Sequence, residues 1–269
     1  MFLRVTSLAA SFFTTPRSQA NQIENHKLTA SPVKEPTRRS SIMDDLYGIE
    51  MSNQVFEQLE DLDTGLNKDV QYSAYGYHWA LPGLSLRNKS LITVVSLATC
   101  GGLEVQLRSH FSAFMNVNGT DFKSTIIILF GLLSHISENY SEEQGRKGLS
   151  VLMEILKDKG LLDSDIVAYS SQFPQKTPSS HLSKNDFHLI EISAAVTSRD
   201  FDKIDASISH WLENHDVNDS QIKDIMRHLI IYCGYPPVIN GFARLHKMKL
   251  KEYPGMTDKA SMYTYGGHS

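Results

Sequence analysis

The sequence predicts an all-α fold, a helical bundle, from three observations. Apolar residues recur with a period near 3.6 along most of the chain after Met43, which is the spacing of one helix face. Short breaks, several of them at Gly or Pro, separate these segments. The same order of helices also occurs twice, which predicts a strand-free tandem architecture whose helices pack through their apolar faces.

Composition excludes several classes of protein. The 269 residues are 41% hydrophobic and 21% charged, which is typical of a soluble globular chain of one or two domains. A net charge of −4 gives no basic footprint for nucleic acid, and no apolar run reaches the roughly 18 residues that a membrane helix needs. Cys100 and Cys233 lie far apart without a CxxC or a Cys/His spacing, so neither a metal site nor a disulfide framework is expected.

Residues 1–42 differ from the rest of the chain. They are rich in Ser, Thr, Pro and Arg, and no acidic residue precedes Glu24. This composition predicts a disordered tail, or an extension before a true start at Met43. In either case the protein is expected to be cytoplasmic. Alternatively, Arg4 and Arg17 flank a Ser/Thr/Ala stretch of the kind found in mitochondrial presequences. A secretory signal is disfavoured because polar residues interrupt the short apolar region.

The first helical set follows Met43. Ser90–Cys100 is apolar and β-branched, so it fits either a strand or a buried helix, and Ser90 is the expected N-cap. Gly101 and Gly102 end this segment. The other segments predicted to be helical, at least in part, are Met51–Leu66, Tyr72–Leu84, Leu103–Asn116, Asp121–Ser134 and Glu142–Lys159.

The second set repeats this order in Asn185–Thr197, Phe201–Asn214 and Asp219–Tyr232. Its last helix is expected to stop at Gly234, with Pro236 preventing continuation.

The predicted organisation has five parts. They are the tail 1–42, repeat one at 43–145, a helix and linker at 146–185, repeat two at 186–253 and a flexible tail at 254–269.

Two segments resemble the carboxymuconolactone decarboxylase family, within the alkyl hydroperoxidase D-like superfamily. Residues 79–91 read WALPGLSLRNKSL, similar to the family pattern W-x-x-P-G-L-x-x-R-x-[RK]-S-L. Residues 222–240 resemble the family's closing motif and contain Asp224, His228 and Asn240. The resemblance implies two tandem repeats of this helical fold, no cofactor, and ring-like homo-oligomers, trimers or hexamers.

Each repeat keeps a different part of the family pattern. The middle helix of repeat one keeps His110 but has Gln106 where the family has Glu, and its third helix lacks counterparts of Asp224 and His228. Repeat two has Ile208 in the place of His110. We therefore expect either one composite site, built from both repeats, or two decayed sites. The hydroperoxidase motif C-x-x-C-x-x-x-H is absent before His110, which disfavours a peroxidase.

The resemblance implies roles for five residues, each with a plainer alternative. His110, inside an apolar stripe, is either a core histidine or a proton-transfer group oriented by Gln106. Arg87 either binds a substrate carboxylate or is, like Lys89, a solvated charge. Asp224 and His228 lie opposite the centre of an apolar face, either as a surface ion pair or facing a partner subunit or a cleft, where they would bind substrate. His188, Glu191 and Asp205 indicate only a charged helical surface.

Two functions follow as expectations. The first is a cofactor-independent lyase that removes carbon dioxide from a small carboxylated lactone or related acid, with Arg87 as anchor and His110 as proton donor or acceptor. The second is a non-catalytic oligomeric scaffold that keeps the fold and has lost the site. Convergence of the predicted site residues on one pocket would favour the enzyme.

Overall fold

The computed structural model describes residues 41–174, 182–213 and 219–252. These residues form twelve α-helices and one π-helix and contain no strand, which confirms the all-α prediction. The helices are α1 (Ile42–Tyr47), α2 (Ile49–Leu62), α3 (Thr64–Asp69), the π-helix (Val70–His78), α4 (Leu86–Cys100), α5 (Glu104–Val117), α6 (Phe122–Asn139), α7 (Glu142–Asp158), α8 (Ser164–Ser170), α9 (Lys184–Ser198), α10 (Phe201–Glu213), α11 (Asp219–Cys233) and α12 (Tyr235–Glu252).

The predicted tails at 1–42 and 254–269 lie almost wholly outside the described residues, as does the middle of the predicted linker. The described part of that linker contains α8, a short helix that the Ser/Pro-rich composition did not indicate. All described residues belong to one compact unit. The three helices that the pattern assigned to each repeat are present in the same order, as α4–α6 and α9–α11, but both predicted repeats contain further helices, and the tandem repeat itself stays a prediction. Within the described helices, none combines the length and the apolarity needed to cross a membrane.

The ambiguous segment Ser90–Cys100 is helical and lies at the centre of the molecule. It belongs to α4, which packs against α5, α7, α9 and α11, so most of its length is covered on every side. An apolar residue at nearly every position is therefore compatible with a helix here. A hydrogen bond of 3.1 Å between Ser96 and Thr197 joins α4 to α9, the other nearly fully buried helix.

Side-chain oxygens cap the main helices. Ser85 accepts a hydrogen bond from the Asn88 amide at the start of α4, so the predicted cap at Ser90 is wrong by more than one turn. Ser90 is instead buried inside the helix. Asp121, Ser141 and Ser183 cap α6, α7 and α9 in the same way.

The break after α11 is correctly predicted, but the chain resumes as a helix at once. Gly234 adopts φ +77°, a conformation that favours glycine, and α12 begins at Tyr235. Pro236 lies in the first turn of α12, where its missing amide hydrogen costs no helical bond. Pro236 therefore follows the end of one helix and helps begin the next.

A second, smaller apolar cluster covers one end of the bundle. Met43, Leu46 and Phe56 from α1 and α2 pack with Tyr75 and Trp79, next to partly buried side chains of α11. His78, at the end of the π-helix, donates from Nδ1 to the Arg227 carbonyl oxygen at 3.1 Å. The N-terminal helices and α11 thus enclose the loop that carries the W-x-x-P-G motif.

Candidate functional site

The indole ring of Trp79 lies between two buried histidines that come from distant parts of the sequence. The His110 ring, on α5, stacks nearly parallel to it with centroids 6.2 Å apart. The His228 ring, on α11, meets it edge-on at 4.8 Å. Two of the predicted site residues therefore meet on one aromatic ring. We name the Trp79 cluster by its members: Tyr47, Tyr75, Trp79, Thr93, His110, His228 and Tyr232.

His110 is 8% exposed and bonded to a residue that the sequence did not suggest. The Tyr47 hydroxyl lies 3.0 Å from its Nδ1. Gln106, the predicted orienting residue, is exposed, so the ring is held from α1 rather than from its own helix. Burial lowers the pKa of His110 to about 4, so the imidazole is neutral at pH 7, as expected.

His228 is 1% exposed, which corrects its predicted position opposite the apolar face of α11. The Trp79 loop and α4 cover the side of α11 that periodicity assigned to solvent. Its Nε2 lies 3.0 Å from the Thr93 hydroxyl, while Nδ1 makes no hydrogen bond of normal geometry, although the Lys89 backbone lies near the ring. Burial, and then the charge of Lys89, lower the pKa of His228 to about 3.

Three tyrosine hydroxyls complete the polar part of the cluster. Burial raises the pKa of Tyr75 to about 12 and raises those of Tyr47 and Tyr232 well above the usual value. All three hydroxyls therefore keep their protons at neutral pH. The Trp79 indole nitrogen donates to the Tyr232 hydroxyl at 3.0 Å, which fixes the indole in its plane.

Lys89 is the cation nearest to the cluster, and it is buried rather than solvated. It is 5% exposed, and its ammonium donates to the Trp79 carbonyl at 2.6 Å and to the Leu81 carbonyl. Burial lowers the pKa of Lys89, while nearby Asp224 acts in the opposite direction. Lys89 lies one turn before Thr93 on α4, within the family-like motif. This position is the sequence signal that could have placed its ammonium beside the cluster.

Asp224 lies beside the cluster, against the W-x-x-P-G loop. Its carboxylate accepts from Arg227 at 2.7 Å, not from His228, so the predicted surface ion pair with His228 is wrong. A Cβ on Gly83 would lie 1.7 Å from an Asp224 carboxylate oxygen. The loop thus approaches α11 so closely that a side chain at position 83 would displace the Asp224 carboxylate.

Arg87, the predicted carboxylate anchor, already has a carboxylate partner. It forms an ion pair with buried Asp186 at the start of α9 and donates to Asn118 at 2.8 Å. Its guanidinium also lies over the Phe114 ring, 5.4 Å from the centroid. These contacts join α4, α5 and α9 and lie apart from the Trp79 cluster.

The cluster contains two neutral imidazoles and three protonated hydroxyls, next to the buried ammonium of Lys89. Neutral imidazoles accept protons and protonated hydroxyls donate them. Among the described residues, neither His110 nor His228 is hydrogen-bonded to a carboxylate. The nearby positive charge of Lys89 would favour an anion or a developing oxyanion next to His228.

Comparison with known proteins does not extend the motif resemblance. A scan of protein-family models finds no match, and a search of curated proteins finds no significant one. The carboxymuconolactone decarboxylase resemblance therefore rests on the motifs at 79–91 and 222–240, and it stays a prediction.

Proposed function

We propose that this chain is a carboxymuconolactone decarboxylase-like lyase, independent of a cofactor, that acts at the Trp79 cluster. Its substrate would be a small carboxylated lactone or a related acid. The main support is that His110 and His228, assigned to different repeats of the family pattern, both contact the indole of Trp79. This contact supports the composite site that the incomplete repeats led us to expect, although two of its expected members, Arg87 and Gln106, lie outside the cluster.

Decarboxylation places three demands on such a site. The C–C bond to the carboxylate breaks, its electron pair passes into the conjugated lactone, and a proton ends on carbon. The carbanion that remains would take a proton from neutral His110, the ring would take one from the Tyr47 hydroxyl, and water would then return a proton to Tyr47. Such proton transfer is worth about 10²–10⁴-fold in rate.

Lys89 is better placed than Arg87 to hold the substrate carboxylate. An ammonium has three hydrogen-bond donors, and two of them serve the carbonyls of Trp79 and Leu81. The third can serve a carboxylate near His228. Arg87 is neutralised by Asp186 and would have to leave that partner first.

A non-catalytic helical scaffold is the second candidate. Its support is the burial of both histidines, which are 8% and 1% exposed and have protein partners.

Ring-like trimers or hexamers would fit either function, because the family-like fold is proposed to assemble through its outer helices. Light scattering of the purified chain tests the assembly, and a monomeric mass would overturn it.

The decisive assay measures carbon dioxide release from a panel of carboxylated lactones. We expect turnover by the wild type and a loss of about 10²–10⁴-fold in His110→Gln. Tyr47→Phe and Thr93→Val, which remove only the hydroxyl bonded to each imidazole, should lower kcat by smaller factors. Tyr77→Phe is the matched control, since Tyr77 is 59% exposed. A folded wild type that releases no carbon dioxide from any member of the panel would favour the scaffold.

A further inference from the structure

A second histidine cluster lies between α9 and α10, apart from the Trp79 cluster. Nδ1 of His210 lies 3.2 Å from a carboxylate oxygen of Glu191, and Nδ1 of His188 lies 3.8 Å from the same oxygen. All three ligand-type atoms lie within 4.8 Å of one another. We name this group the Glu191 cluster.

Helix geometry explains why these residues meet. His188 and Glu191 are three positions apart and share one face of α9. Helix α10 packs against α9 and brings the His210 ring to 4.6 Å from that of His188. The indole of Trp211, also on α10, supports the other side of His188 at 5.4 Å. The three side chains are thus positioned by two packed helices rather than by a loop.

We propose that the Glu191 cluster binds a zinc-type divalent cation through His188, Glu191 and His210. Two imidazoles and one carboxylate are the ligand set of many zinc sites. Tetrahedral bonds of about 2.0–2.2 Å place ligand atoms about 3.4 Å apart. The two observed separations from the Glu191 oxygen lie on either side of this value, so small side-chain rotations would complete the geometry.

The surroundings leave room for a further ligand. A cavity of about 260 Å³ borders Glu191 and is also lined by His135, Asn139 and Phe187. Neither His188 nor His210 lines this cavity, so a water or a small anion in it would reach a bound ion from the Glu191 side. Burial also raises the pKa of Glu191, so its carboxylate is poorly solvated and would be stabilised by a bound cation.

Metal titration of the full chain tests this site. After dialysis against a chelator, we expect the wild type to bind one Zn²⁺, and Co²⁺ to give the visible absorption of a tetrahedral ion. Glu191→Gln and His210→Ala should each weaken zinc binding at least tenfold. His210 is 46% exposed, so its removal should leave the fold intact, which circular dichroism verifies.

Asp205→Asn is the matched control. It removes a carboxylate from the same helix, α10, but one that pairs with Arg244 outside the cluster. Its zinc affinity should equal that of the wild type. Absence of the tetrahedral Co²⁺ spectrum in the wild type would overturn the site and leave an ordinary His210–Glu191 ion pair. Equal zinc affinity in Glu191→Gln, His210→Ala and wild type would also overturn it. Neither result depends on carbon dioxide release, so the proposed metal site and the proposed lyase activity can be overturned independently.

Discussion

The two histidine clusters use the same side chain in opposite environments. In the Trp79 cluster, both imidazoles are buried and bonded to neutral hydroxyls, and both pack against one indole, His110 parallel to it and His228 edge-on. In the Glu191 cluster, one imidazole is buried, the other is 46% exposed, and a carboxylate lies between them. A buried imidazole without an anion loses its charge, whereas a neighbouring carboxylate can pair with an imidazolium or share a metal ion with a neutral ring.

This difference also separates the functions we assign. Neutral rings in a dry environment are the basis of the proposed proton transfer to an organic substrate. In the Glu191 cluster His210 is 46% and Glu191 22% exposed, so an ion can approach this proposed site from solvent. The predictions below test each side of this comparison, beginning with the largest expected effect.

Removal of the Trp79 ring should cost more stability than any other single change in either cluster. The ring is 1% exposed and contacts both histidines, so Trp79→Ala loses apolar burial and leaves a cavity. We expect about 3–5 kcal/mol of destabilisation in urea unfolding. Tyr77→Ala, at a neighbouring exposed aromatic, should change stability by less than about 0.5 kcal/mol. Similar losses for both variants would mean that Trp79 is not the centre of the cluster.

His110→Gln should reduce the pH dependence of stability between pH 6.5 and 4. The pKa of His110 is 6.5 when unfolded and about 4 when folded, so in this range the unfolded chain binds the extra proton. The free energy of unfolding of the wild type therefore falls as pH falls, by up to about 1.4 kcal/mol per unit and about 3 kcal/mol in total for this residue.

The His110→Gln variant should lack that part of the slope in urea unfolding measured at several pH values. Ser109→Ala, at an exposed position on the same helix, should keep the wild-type slope. Parallel curves for wild type and His110→Gln would mean that the histidine is not held neutral by burial.

Gly83→Ala should lower stability by about 1 kcal/mol, because the added Cβ would overlap the Asp224 carboxylate. Asp224 can avoid the overlap by rotating, which limits the loss of stability. The rotation breaks its ion pair with Arg227, so part of the loss remains. Asp224→Ala should rescue Gly83→Ala, with a coupling of at least about 0.5 kcal/mol in a double-mutant cycle. Additive losses would show that the W-x-x-P-G loop does not press against α11.

Local patterns were sufficient for most of the fold. The 3.6 period predicted α5, α7 and α10 to within one residue at each end, because each has one face towards the core. The period could not separate strand from helix in α4, since a segment buried on every side has no polar face. It also missed α12, because Gly followed by Pro is compatible with both an end and a restart.

The candidate sites were predicted less completely, since they depend on contacts between distant segments. His110 was placed correctly in an apolar face, but its partner Tyr47 lies 63 residues away, and no local rule links the two. His228 was assigned to the surface because periodicity considers one helix and not the loop that covers it. The Glu191 cluster likewise needs α10 to pack on α9, so no metal-type spacing appears in the sequence.

The smallest expected effect is at the exposed edge of the Glu191 cluster. In the presence of a chelator, His210→Ala should change stability by less than about 1 kcal/mol, because a half-exposed ion pair contributes little. Zinc at a fixed concentration just above the wild-type Kd should then raise the melting temperature of the wild type more than that of His210→Ala, since the stabilisation depends on the affinity of the folded state for the ligand. A large loss for His210→Ala without metal would mean that this cluster, like the Trp79 cluster, is primarily structural.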